Sequence, residues 1–400
     1  MTFLLIVAGL FVVALSLWLF HALIDWRELQ KNLWSGTEPH PTPITFLNAG
    51  LAIRPTILGH DVPMGYRQAC RFFGVGLIDR TGMLDQEFNP HILDPIPDDF
   101  SNVPDIAHLC AQRAHDIIGE AQREGLPLRL LWSGGIDSTC VAAALLTALG
   151  DKTDQLEIAY SQQSVAEYRK FFRMLKKRGI RLTKIKMVSE ALTADALIVT
   201  GEHGDQIFGS MLAENIPFPL LQSPWRAVIP AHIAEKIGTD AAADMLRWME
   251  PQLAACPIPL VTAYDFLWWA NFSMKWQTVS QRILASLETT EERRAVSPLL
   301  RHFFRTDEFQ RWALANPDKK IKEDWASYKY PLKDIIFDFN GDKRYRKNKT
   351  KERSLRGLTG RLARRAIAID ADNVLHSQAV DRSILTRAER WSFEVSRDWE

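Results

Sequence analysis

The chain has 400 residues and carries 49 basic against 48 acidic side chains, for a formal net charge of +1. That length allows two domains or one large one with extensions, and the charge balance excludes the strong global field that draws nucleic acid. Cys70, Cys110, Cys140 and Cys256 stand far apart with no Cys-x-x-Cys pair, so neither a zinc site nor a disulfide framework is signalled.

From Thr2 to Ile24 there is no Asp, Glu, Lys or Arg. About 20 apolar residues span a bilayer as a helix, so residues 2–24 are expected to be a single transmembrane anchor. Trp18 and Trp26 suit the interfacial belt, and Arg27 and Lys31 put the C-terminal side, with the body of the protein, in the cytoplasm. No basic region leads the run and no clear small-x-small cleavage site follows it, which argues against a signal peptide. Residues 32–100 mix Pro, Gly, Asn and Asp with short apolar runs, which predicts a small irregular α+β region without assignable chemistry. From Ser101 to Gly125 the pattern is helical, with Asp105 near the start and Gly125 closing it.

Leu128 to Trp132 is a short apolar run that reads as a buried strand. It ends in Ser133-Gly134-Gly135-Ile136-Asp137-Ser138, and the Ala- and Leu-rich run from Thr139 to Leu146 reads as a helix. A strand, a turn of small residues and a helix start aim backbone N–H groups and the positive end of a helix at one point, which suits phosphate. Gly134 and Gly135 allow close backbone approach, and Ser133 and Ser138 add hydroxyl donors. Asp137 repels phosphate on its own. It makes sense as a ligand of Mg²⁺ bridging phosphate oxygens. The Gly-Lys-Ser/Thr ending of a Walker A loop is missing.

Strands are expected at 155–160, 181–187 and 196–199, with a helix over about 164–177 between them. Strands alternating with helices imply an α/β fold with a doubly wound parallel sheet, whose ligands lie beyond the carboxyl ends of the strands. Thr200-Gly201-Glu202-His203-Gly204-Asp205-Gln206-Ile207-Phe208-Gly209 sits at a second such end. There Asp205 can share the metal with Asp137, Glu202 can take or give a proton, and Gly201 is a further nucleotide contact. Residues 211–400 are mostly helical in pattern. The aromatic stretch from Tyr264 to Leu287 reads as core, and 356–400 as a charged helical tail. Lys343 to Lys351 is a basic run, poor in apolar residues and expected to be exposed or disordered without a ligand.

Residues 133–138 resemble the pyrophosphate-binding loop of the ATP pyrophosphatase (PP-loop) superfamily. Residues 201–209 resemble the Gly-Glu-Gly-(Ser/Ala)-Asp-Glu-Leu-Phe-Gly-Gly motif of the asparagine synthetase family, with departures at His203, Gly204, Gln206 and Ser210. Glu292 to Leu300 is similar to a third segment of that family and lacks its final acid. The resemblance covers the synthetase domain, here residues 101–355. It leaves out the family's N-terminal glutaminase domain, because position 2 is Thr rather than the cysteine nucleophile.

The resemblance implies an enzyme, an ATP-dependent carbon–nitrogen ligase. It would adenylate a carboxylate, pass it to an amine or ammonia, and release AMP and pyrophosphate. It implies ATP and Mg²⁺, with Ser133, Gly134, Gly135, Asp137, Ser138 and Gly201 at the nucleotide and Asp137 and Asp205 on the metal. A catalytic lysine is implied in the basic run, at Lys349 in an Arg-x-x-Lys context or at Lys347. The expected partners are a small-molecule or peptide carboxylate, an amine, and a protein at the membrane, but no nucleic acid. Two other readings are a tRNA-modifying PP-loop enzyme and a membrane-anchored nucleotide-binding scaffold without chemistry. The missing Cys pairs argue against the first, and the intact Ser133, Asp137 and Asp205 against the second.

Overall fold

The computed structural model describes residues 42–209, 211–350 and 365–379. The first part carries β1 (Ile44–Leu47) and α1 (Met64–Phe73). Next come α2 (Ile106–Glu124), β2 (Leu128–Trp132), α3 (Ile136–Leu149), β3 (Leu156–Tyr160), α4 (Gln162–Glu167) and α5 (Arg169–Lys177). β4 (Arg181–Lys184), β5 (Leu197–Thr200) and α6 (Gly204–Phe208) complete the α/β half. The helical half contains α7 (Trp225–Ile237), α8 (Thr239–Ala254), α9 (Ala263–Met274) and α10 (Trp276–Gln281). It continues with β6 (Leu300–His302), α11 (Tyr330–Asn340) and α12 (Lys343–Asn348). β7 (Arg365–Asp370) and β8 (Leu375–Ala379) follow.

Five strands form an all-parallel sheet in the order β4-β3-β2-β5-β6. β2 comes first in the chain. β3 and β4 then add on one side and β5 and β6 on the other, so the order reverses at β2, where such sheets bind ligands. Leu131 pairs with Thr200, which sets the ends of β2 and β5 side by side. Leu128, Leu130, Leu156, Ile158, Leu197, Ile198 and Val199 are all buried, as expected for parallel strands covered on both faces. α3 is buried almost all round. Its small apolar residues let it sit among β2, α2 and α11, and that packing carries the start of α11 to the end of β2.

The structure differs from the sequence pattern in four places. The helix expected over 164–177 breaks at Tyr168, whose φ of −142° and ψ of 70° separate α4 from α5. The aromatic stretch from Tyr264 divides into α9 and α10 at Lys275. β6 is three residues long, too short to leave a periodic signal. The fourth difference corrects the helical tail. Residues 365–379 form two strands, and β7 pairs antiparallel with both β1 and β8. Ala366, Ile367, Ala368 and Ile369 are buried and uncharged, so this part of the tail pays its way as a strand under cover rather than as a solvated helix. One apolar cluster runs from Ile44 through the parallel sheet to Ala368, joining the early region and the strands at 365–379 to the α/β half.

Among the described residues no helix is long and apolar enough to cross a membrane. The expected anchor at 2–24 lies outside the described residues, as do 351–364 and 380–400.

Candidate functional site

Trp132 ends β2 and pins it. Its indole N–H donates to Thr139 Oγ1 at 3.0 Å, and its ring stacks 5.7 Å from that of Phe171. The chain then turns through Ser133 and Gly134. Ser133 N–H donates to Ser138 Oγ at 3.1 Å, the two serine hydroxyls lie 2.9 Å apart, and Gly135 N–H donates to Ser133 Oγ at 3.3 Å. Gly134 has a φ of +83°, and a Cβ there would collide with the Ser164 carbonyl, so only glycine makes this turn without strain. α2 has its first turn capped by Asp105, which accepts from His108 N–H at 2.8 Å. α3 starts at Gly135 with no side-chain cap. The positive end of α3 is therefore left for another acceptor.

The second loop lies directly on the first. A Cβ on Gly204 would run into the Asp137 carboxylate, so the close approach of the two loops depends on that glycine. His203 precedes it with a φ of +74° and is buried. Its Nε2 lies 2.8 Å from Ser280 Oγ and 3.2 Å from the Trp276 carbonyl. Burial, reinforced by His302, pushes His203 well below the ordinary histidine range. His302 Nε2 is 2.8 Å from the Ser280 carbonyl and its Nδ1 is 2.7 Å from Thr200 Oγ1. A carbonyl only accepts, so Nε2 carries the proton and Nδ1 accepts from the Thr200 hydroxyl. Burial holds this imidazole down to about 3. The Thr200 oxygen in turn accepts from Glu202 N–H at 3.2 Å. Two neutral histidines thus brace the backbone of the loop.

Gln206 joins a second brace. Asn271 Nδ2 donates to the carbonyls of Asp205 at 2.8 Å and Gly209 at 2.7 Å, which turns its oxygen toward Gln206 Nε2, 3.2 Å away. The position needs a donor. Glutamine supplies one and a carboxylate does not, so this departure from the family motif has a local structural reason.

Asp137 and Asp205 meet at a single ammonium. Lys329 Nζ lies 2.6 and 2.5 Å from the two oxygens of Asp137 and 2.7 Å from Asp205 Oδ1. Tyr328 OH donates to the same Asp205 oxygen at 3.2 Å. The Lys329 side chain is 1% exposed. Burial pulls its pKa down, but Asp137 and Asp205 outweigh burial and hold it above the ordinary lysine value. Lys329 has a φ of +58°, and its N–H donates to the Lys320 carbonyl at 3.0 Å. It stands immediately before α11, so the packing of α11 on α3 delivers it. Sequence reasoning missed this residue. The available signal was Pro331, which marks the first turn of a helix and so places Lys329 in the turn before it.

Two carboxylates are what Mg²⁺ takes from a protein when phosphate oxygens and water fill its other positions. Among the described residues no cluster of three or more His, Cys, Asp and Glu could hold a metal ion.

A cavity of about 190 Å³ opens here, lined by Ser133, Gly135, Asp137, Ser138, Gly201, Glu202 and Asp205 together with Glu167, Lys275, Arg282 and Lys329. Gly134 lies behind the loop, against Ser164 and Glu167. Glu202 is held in an ion pair by Arg282. Over 343–349 the basic run is mostly exposed, as expected, with Tyr345 and Lys349 turned inward. It forms α12, with Asp342 accepting from Tyr345 N–H at 3.3 Å and Tyr345 stacked 4.0 Å from Tyr168. Burial of Tyr345 gives the run the apolar anchor that its charge count hides. Lys349 turns inward, 8% exposed, with Nζ 3.2 Å from Glu167 Oε1. Lys347 stays on the exposed face, and neither lysine lines the cavity.

No protein-family model matches this chain, and no curated protein matches it.

Proposed function

We propose that this protein is an ATP-dependent ligase that adenylates a carboxylate and passes it to an amine, releasing AMP and pyrophosphate. The observation that carries the reading is the meeting, at one strand-end cleft, of the uncapped N-terminus of α3 with Asp137, Asp205 and the Lys329 ammonium. A helix end and a cation suit a polyphosphate, and the paired carboxylates suit the divalent ion that travels with it. When bound, Mg²⁺ would neutralise phosphate charge and favour departure of pyrophosphate.

Ser133, Gly135 and Ser138 would hold the β- and γ-phosphates, and Gly201 would back the loop against them. Lys349, beside the phosphate loop on Glu167, would stabilise charge on the α-phosphate and in the amide-forming step. Glu202 would handle the amine proton after release from Arg282. Adenylation makes AMP the leaving group, so positioning and charge stabilisation are the work left to the protein. The nitrogen comes from an amine on the substrate in this reading. In this reading the apolar run at 2–24 would hold the reaction on the cytoplasmic side of a membrane, beside a membrane partner.

The test follows an oxygen atom. Amide formation through an acyl-adenylate moves one carboxylate oxygen into AMP. With ATP, Mg²⁺ and small molecules from cell extract exchanged into ¹⁸O-carboxylates, AMP bearing one ¹⁸O is expected. AMP without label, or no AMP, would count against the reading.

A further inference from the structure

Lys329 has three N–H donors, and three carboxylate oxygens lie 2.5–2.7 Å from its nitrogen. The ammonium is saturated by the very groups that would bind a divalent ion, and it sits at the point where their oxygens converge. It is not a loose surface lysine that swings away at no cost. Its side chain is 1% exposed, its backbone is tied to the Lys320 carbonyl at 3.0 Å, and Tyr328 beside it reaches the same Asp205 oxygen. A metal ion arriving alone would have to break three charge-assisted bonds and leave the ammonium buried with no acceptor, which is unfavourable.

A polyphosphate changes that balance. Its oxygens give the ammonium new acceptors at the adjacent N-terminus of α3, and the carboxylates are released to the ion that came with the phosphates. We propose that Lys329 is the resident counter-ion of Asp137 and Asp205, so that this site takes a divalent ion only together with a nucleotide and never ahead of it. The inference rests on the reading of the cleft as a nucleotide site. It adds an order of binding and gives Lys329 two successive sets of partners.

The probe is Mn²⁺, followed by electron paramagnetic resonance of the free ion with the full-length protein. Wild type is expected to take up no Mn²⁺ alone and one ion per chain with α,β-methylene-ATP. Lys329→Met should bind Mn²⁺ without nucleotide, roughly tenfold or more tighter than wild type. Adding Asp205→Asn to that variant should remove the gain, and Lys329→Arg should behave as wild type. Lys329→Gln repeats the comparison if the Met variant does not fold, which circular dichroism shows. Wild-type uptake of Mn²⁺ that is the same with and without nucleotide would overturn the counter-ion role while leaving the nucleotide site standing. So would a Lys329→Met or Lys329→Gln protein that binds no better than wild type. Failure of wild type to take up Mn²⁺ even with the nucleotide would instead remove the nucleotide site, and with it both readings.

Discussion

The two strand-end loops share one cavity with Lys329 from the stretch Asn316 to Lys349, and the two regions are built in opposite ways. The loops are local. Ser133, Gly135 and Ser138 fix one another through bonds spanning at most five positions. The later stretch owes its place to tertiary packing. α11 lies against α3 and sets Lys329 over the carboxylates, and Tyr345 against Tyr168 sets Lys349 beside Glu167. The carboxylates and the helix end are thus supplied by short-range geometry, and the cation that answers them, Lys329, arrives from 192 positions after Asp137 and 124 after Asp205. The comparison breaks if the two sides do not act on the same bound ligand.

The largest expected effect is on the loop side. Asp137→Asn or Asp205→Asn should lower AMP formation by about 10³-fold or more, read as AMP release from radiolabelled ATP. Wild-type turnover by either variant would uncouple the carboxylates from the chemistry. Next comes the far side. Lys349→Ala should lower kcat by about 10²-fold with little change in the KM for ATP, the pattern of a group that acts mainly in the transition state. Lys347→Ala, on the exposed face of α12, should stay within about twofold of wild type. Equal losses for the two would mean that only the charge of the run matters.

Backbone strain gives a smaller, structural contrast. Gly134→Ala places a Cβ at a φ of +83° against the Ser164 carbonyl, and should cost about 2–4 kcal/mol of stability by denaturant titration.

The smallest effects are those of pH; they share a sign, stability rising with pH on both sides, and differ in the window where they act. His302, held to about 3 by burial, stays neutral in the fold while the unfolded chain takes up a proton below about 6.5. Stability should therefore fall as pH drops from about 6.5 toward 3, by about 1.4 kcal/mol per unit at most for this histidine. On the other side, burial pulls the Lys320 ammonium down to about 7, against the pull of Asp265. The unfolded chain keeps that proton up to about 10, so stability should rise as pH climbs from 7 toward 10. Lys320→Met should flatten that rise. Denaturation curves at pH 4.5, 7 and 9 separate the two.

Much of the loop side was legible in the sequence. A strand ending at Trp132, a small-residue turn and an apolar helix form a contiguous pattern, and the residues that line the cavity there are those the spacing singles out. The parallel sheet was legible for the same reason, apart from β6, whose three residues carry no period. The far side was not. Lys329 is one lysine among many, and only the docking of α11 distinguishes it. Lys349 was singled out through resemblance to a family, and its burial was not foreseen, because a run so rich in charge gives no sign that Tyr345 would be covered by Tyr168. The strands at 365–379 were lost in a tail that reads as charged, since their partner, β1, lies more than 300 residues earlier.

The most direct test of the central claim is the position at which ATP is cut. Protein supplied with Mg²⁺, small molecules from cell extract, and ATP labelled separately at the α- and γ-phosphates should yield AMP and pyrophosphate in equal amounts. ADP and inorganic phosphate as the paired products would contradict the account, because they would place the chemistry at the γ-phosphate.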